Sequence, residues 1–175
     1  MDMNHLNFEQ MKNNSHKNKY FNRYINIICE LFDVDFINAF ELYNVKTPFD
    51  ININGKINIE VKIQNRFALE VYTDDDKKKM GWVFTLMDDE VDYVLFFFPD
   101  ENKYFCLKAS ELHTWWLEHF IDFETIRNKT SIKGNRTWVS SFSYVGRGLI
   151  PTNIVYKTNI EFVDKDGFNN LADWI

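Results

Sequence analysis

The chain predicts an α/β fold, and three stretches carry that prediction. From Lys17 to Phe32 the apolar residues Tyr20, Tyr24, Ile27, Ile28 and Leu31 recur at i, i+4, i+7, i+8 and i+11, one stripe of a helix. From Lys56 to Gln64 the pattern is strict alternation. Ile57, Ile59, Val61 and Ile63 point one way, and Asn58, Glu60, Lys62 and Gln64 the other. From Val91 to Phe98 the run VDYVLFFF is nearly all apolar, as expected of a strand covered on both faces.

A chain of 175 residues with 45% hydrophobic content suits a single domain with a real core. Six glycines and three prolines argue against a loop-rich chain. Residues 1–12 read as flexible, 17–120 as the core and 121–175 as a C-terminal extension. The start, MDMNHLNFEQ, lacks a basic-then-apolar pattern, so no secretion signal is expected. VDYVLFFF is too short to cross a bilayer, so no membrane partner is expected. Cys29 and Cys106 are lone and far apart, which predicts neither a disulfide framework nor a CxxC zinc site and fits a reducing cytoplasm.

Taken in order, the helix at 17–32 carries Glu30 near its end, and a short helical or irregular piece, Asp35 to Tyr43, offers Glu41. Thr47-Pro48 ends that region. Strand one is about Phe49 to Ile53, strand two Lys56 to Gln64 and strand three Phe67 to Tyr72. TDDDKKK (Thr73 to Lys79) reads as a solvated charged turn. After the apolar strand, Pro99 to Asn102 turns the chain and Lys103 to Leu107 returns as a hairpin partner. Ser110 is the expected N-cap of a helix to about Phe120, with Leu112, Trp115, Trp116 and His119 on its apolar side. Thr137 to Val145 and Asn153 to Lys157 are candidate strands around a Gly146-Arg147-Gly148 loop.

Asn54-Gly55 is a strong hairpin signal, and its register decides where Asp50 points. A two-residue loop pairing Ile53 with Lys56 would set Asp50 against Ile59 on the apolar side, burying an unpaired carboxylate. A three-residue loop, Ile53-Asn54-Gly55, pairs Asn52 with Lys56, Ile51 with Ile57 and Asp50 with Asn58. Every apolar residue then shares one face. Asp50 becomes a diagonal neighbour of Glu60, about 7–8 Å away. Two carboxylates at that reach can converge on a hard divalent ion, which takes oxygen ligands. The Val61 carbonyl offers a further oxygen. Lys62 projects beside the ion, where an ammonium stabilises charge at a phosphoryl centre or orients the attacking water. Glu70, on the next strand, is a candidate ligand or base.

Pro48, Asp50 and Glu60-Val61-Lys62, with Phe49 inserted between the first two, resemble the PD-(D/E)xK nuclease superfamily. The downstream ALEVY, the charged loop, Gly81-Trp82 and VDYVLFFFP are similar to its small, often phage-encoded members. The resemblance spans about residues 17–120. It implies a restriction-endonuclease-like α-β-β-β-α-β core, with a mixed central sheet flanked by helices. It also implies cleavage of DNA phosphodiester bonds with Mg²⁺ (Mn²⁺ substituting), by a metal-binding endonuclease or junction resolvase. Glu30 would be the first-helix carboxylate that reaches the metal, with Glu41 the runner-up. The expected helix between strand three and Val91 is not obvious in Trp82 to Leu86.

The net charge of −6 is the wrong sign for gripping nucleic acid by bulk charge, although basic residues cluster at Lys12–Arg23, Lys77–Lys79 and Arg127–Arg147. A nuclease-like protein that binds nucleic acid or a protein without cutting is therefore the alternative. A weaker option is an interaction protein that docks a partner through Trp138 and Phe142. Nucleases that cut both strands often pair, which leaves a homodimer open. His113 and His119, six apart, do not share a helical face as a zinc pair would. Trp115-Trp116 reads as core rather than as a base-stacking platform.

Overall fold

A computed structural model describes residues 20–35, 40–42, 49–88, 90–132 and 136–160. The fold is mixed α/β, with two sheets and few helices. Helix α1 is Phe21–Phe32 and helix α2 is Ala109–His119. Strands β1 Phe40–Leu42, β2 Ile51–Ile53, β3 Ile57–Ile63 and β4 Ala68–Asp74 come first, followed by β5 Lys79–Met80 and β6 Tyr93–Phe98. Then come β7 Lys103–Lys108, β8 Ile126–Ile132, β9 Arg136–Tyr144 and β10 Val155–Thr158. One sheet runs β1-β2-β3-β6-β7-β10 and the other β5-β4-β9-β8.

The apolar strand is the shared wall of two cores. Leu95 and Phe97 of β6 pack with Ile59 and Val61 under the buried stripe of α1: Phe21, Tyr24, Ile25, Ile28 and Leu31. Val94, Phe96 and Phe98 pack the other way, against Leu69 and Val71 of β4 and Leu112, Trp115 and Trp116 of α2. Alternation along β6 divides its side chains between two apolar layers, which is why the run shows no polar period. Trp115 and Trp116 are buried, as expected of core residues. Strand β6 is parallel to β3, with Glu60 beside Val94 and Lys62 beside Phe96. Its partner β7 is antiparallel, as the hairpin expectation required.

Several expectations need correction. Strand three does not lie beside strand two: β4 joins the second sheet, between β5 and β9. Between β4 and β6 the chain makes a 3₁₀ turn, Trp82–Thr85, with Val83 buried, in place of an α-helix. Four residues are too few for a stable α-helix and enough to insert one apolar side chain. Phe40–Leu42 is a strand paired to β2, not helix. Ser110 does not cap α2. The helix follows β7 directly from Lys108, and the Ser110 hydroxyl donates to Glu111 instead. The expected C-terminal strands are present as β9 and β10, and β8 is an added strand whose polar pattern, IRNKTSI, hid it. Residues 1–12, Lys17 and Pro48 lie outside the described residues. Among the described residues no helix is long and apolar enough to cross a membrane.

Candidate functional site

The β2–β3 turn differs from both registers considered above. Asn54 and Gly55 have φ of 52° and 68°, and the Lys56 amide donates to the Ile53 carbonyl at 2.9 Å. Two central residues at positive φ make the tight turn that Asn-Gly favours. Lys56 then stands unpaired between turn and ladder, and the ladder pairs Ile53 with Ile57, Asn52 with Asn58 and Ile51 with Ile59. The register is shifted by two residues from the expected one, so the parity survives. The isoleucines face α1 and the polar row faces away. The ladder ends at Ile51–Ile59, and just beyond it the Asp50 amide donates to the Ile59 carbonyl at 3.0 Å. The turn is braced by Asn52, whose Oδ1 accepts from the Gly55 amide at 2.6 Å and whose Nδ2 donates to Asn58 Oδ1 at 2.6 Å.

Asp50 ends the strand in a specific way. The Asn58 amide points to the β6 side, where it donates to Asp92 Oδ2 at 2.7 Å. Alternation turns the Val61 amide and carbonyl to the β2 side. There the Val61 amide donates to Asp50 Oδ2 at 2.8 Å, the carboxylate standing where a further ladder residue would accept. Tyr24 of α1 is close by. Burial, and then the charge of Asp50, push its phenol well above the ordinary range. Sequence periodicity put Tyr24 on the apolar stripe of α1, and nothing in the pattern marked it as the neighbour of Asp50.

Glu60 and Lys62, two apart on one face of β3, form an ion pair at 2.5 Å. The Lys62 ammonium also stands 4.4 Å from the centre of the Trp82 ring, a cation–π contact. Glu70 on β4 accepts from the Thr73 hydroxyl at 2.7 Å and is 3.4 Å from the Trp82 amide. Trp82 therefore touches both Lys62 and Glu70, a role sequence spacing did not reveal. Lys62, Gln64, Arg66, Ala68, Glu70, Trp82, Phe142 and Tyr144 are among the residues that line a cleft of about 590 Å³ between the two sheets.

Asp50 is held by the Val61 amide, Glu60 pairs with Lys62, and Trp82 stands between Lys62 and Glu70 in the cleft lining. Glu30 does not join them. It is exposed on α1, and its charge is felt at Tyr104 of β7, whose phenol is raised by burial and then by the Glu30 charge. β7 lies two strands from β3, so that carboxylate faces another part of the sheet. Glu41 lies in β1 opposite Asn52, in a strand rather than a helix. Arg147, at the end of the basic cluster that begins at Arg127, is occupied by Glu101 through Nη1 at 2.9 Å and Nη2 at 2.5 Å, and lies 4.0 Å over the Phe98 ring. Among the described residues no group of three or more His, Cys, Asp or Glu side chains is gathered for a metal ion. Comparisons with protein-family models, curated proteins and solved structures find no match.

Proposed function

We propose that the protein is a metal-dependent nuclease of PD-(D/E)xK type that hydrolyses DNA phosphodiester bonds, its core a variant of the restriction-endonuclease-like fold. The observation that carries this reading is the meeting of Asp50 and the Glu60-Val61-Lys62 strand at one end of β3. Asp50, Glu60 and the Val61 carbonyl would supply an all-oxygen donor set, which suits Mg²⁺ or Mn²⁺. Such an ion, when bound, polarises the phosphodiester and favours an ionised water as nucleophile. The chain's own part is to hold and to orient. The Val61 amide fixes the Asp50 carboxylate, and Trp82 steadies the Lys62 ammonium. Freed from Glu60, that ammonium would face the negative charge that builds on the attacked phosphate. Glu70 stands across the cleft as a second acceptor for a water proton.

Nicking of supercoiled plasmid with Mg²⁺ or Mn²⁺ tests this directly. Cutting is expected to vanish in EDTA and to fall by about 100-fold or more in Asp50→Asn, Glu60→Gln and Lys62→Ala. Asp50→Asn keeps an acceptor for the Val61 amide, so its melting temperature should stay near that of the parent chain. A second reading, a protein of this fold that binds nucleic acid without cutting, is favoured by one observation. Lys62 is already paired with Glu60. Binding that persists in Glu60→Gln, with no nicking under either metal, would select it.

A further inference from the structure

The cleft has an aromatic wall that the proposed hydrolysis does not use. Phe142 and Tyr144 share one face of β9, their rings 5.2 Å apart and edge to face. Tyr144 is 43% exposed. Its partner across the ladder is Ala68, whose single methyl group leaves space beside the ring. Cations stand over two of the aromatic faces. Arg66 is 5.6 Å from the Tyr144 ring centre, and Lys62 is 4.4 Å from that of Trp82. The amide side chains of Gln64 and Asn65 line the same cleft. Lys62 is already paired with Glu60, so Arg66 is the cation of this lining that stands beside the Tyr144 ring.

A ligand matching this wall is flat and aromatic, carries donors and acceptors on its edge, and bears negative charge on its flank. A nucleotide has all three features. In a duplex the base faces are covered by their neighbours, so only an unpaired base can lie on the Tyr144 ring. We propose that the cleft binds an unpaired nucleotide of a single-stranded or locally opened nucleic acid. Its base would lie against Tyr144 and Phe142, and its phosphate beside Arg66. This rests on the nucleic-acid substrate proposed above and names its form.

Fluorescence anisotropy in EDTA, where the metal-dependent cutting is off, tests it. The probes are short labelled oligothymidylate, oligouridylate and a DNA duplex of equal length. Expected is tighter binding of one or both single strands than of the duplex, with DNA and RNA distinguished by the first two probes. Tyr144→Ala and Arg66→Ala should each weaken single-strand binding about tenfold. Both residues are surface-accessible, and a melting curve checks that each variant is folded. Equal or tighter duplex binding, or single-strand binding untouched by both substitutions, overturns the proposal even if plasmid is cut. Tyr144-dependent single-strand binding by a protein that cuts nothing upholds it and removes the nuclease activity instead.

Discussion

A Cβ atom at Gly81 would stand 2.1 Å from the Glu70 carbonyl oxygen and 2.6 Å from its carbon. The Gly81 amide meanwhile donates to the Val71 carbonyl at 2.9 Å. Only a residue without a side chain lets the chain cross β4 this closely and deliver Trp82 to both Lys62 and Glu70. Gly81→Ala must therefore push backbone against backbone, an overpacking of about 1–3 kcal/mol or more. Its urea midpoint should fall accordingly, and plasmid nicking should drop with it as Trp82 shifts. A midpoint unchanged from the parent would mean that the crossing is looser than described. At this scale the sequence was an incomplete guide. The alternation of β3 displayed Glu60 and Lys62, yet the bond from the Val61 amide to Asp50 depends on where β2 stops. That is set by the turn and by one unpaired residue, Lys56.

The TDDDKKK stretch shows the same limit for a whole element. Sequence composition reads it as a solvated turn, but Asp74 and Asp75 are only 6% and 4% exposed. Lys77 pairs with Asp74 at 2.8 Å, Lys78 with Asp75 at 2.7 Å, and Arg127 of β8 with Asp75 at 2.5 Å. The hydrogen bond from Lys77 holds the Asp74 carboxyl below its ordinary range, and that from Lys78 does the same for Asp75, with Arg127 adding to it. A carboxyl whose folded pKa is lowered stabilises the fold above its unfolded value, about 3.9, and that contribution is lost as pH falls through the lower folded value. Asp75→Asn should thus lower the urea midpoint at pH 6, and the gap between variant and parent should close as pH falls below about 4. A gap that persists unchanged in acid would assign the loss to packing rather than to ion pairing. The charge run did not announce its partner, because Arg127 lies on β8, a strand without an apolar period.

For the molecule as a whole, β6 is the wall that both layers share. Leu95 is fully buried under α1, and Phe96 is fully buried on the opposite face, against Phe67 and Trp82. Leu95→Ala is expected to cost about 2–5 kcal/mol and Phe96→Ala about 3–5 kcal/mol. Because one strand serves both cores, both substitutions should shift a single urea transition seen alike by tryptophan fluorescence and by far-ultraviolet dichroism. Two separate transitions would show that the layers unfold independently.

The sequence by itself determined the class of the fold and the identity of its central elements. Helix α1, strand β3 and the two-faced strand β6 follow from local periodicity, which a single stretch of chain carries complete. Parity within the first hairpin was legible too, since the isoleucines can face only the core and a shift by two residues leaves them there. The placing of β4 in a second sheet beside β9, the cleft that results, and the separation of Glu30 from Asp50 were decided by the tertiary structure. The pairing Glu70↔Phe142 joins residues far apart in the chain, and no spacing encodes it. Nor does a helix stripe say which strand each exposed carboxylate will overlook. Those choices belong to how the layers pack, where burial of β6 on both faces outweighs the preference of neighbouring strands to pair.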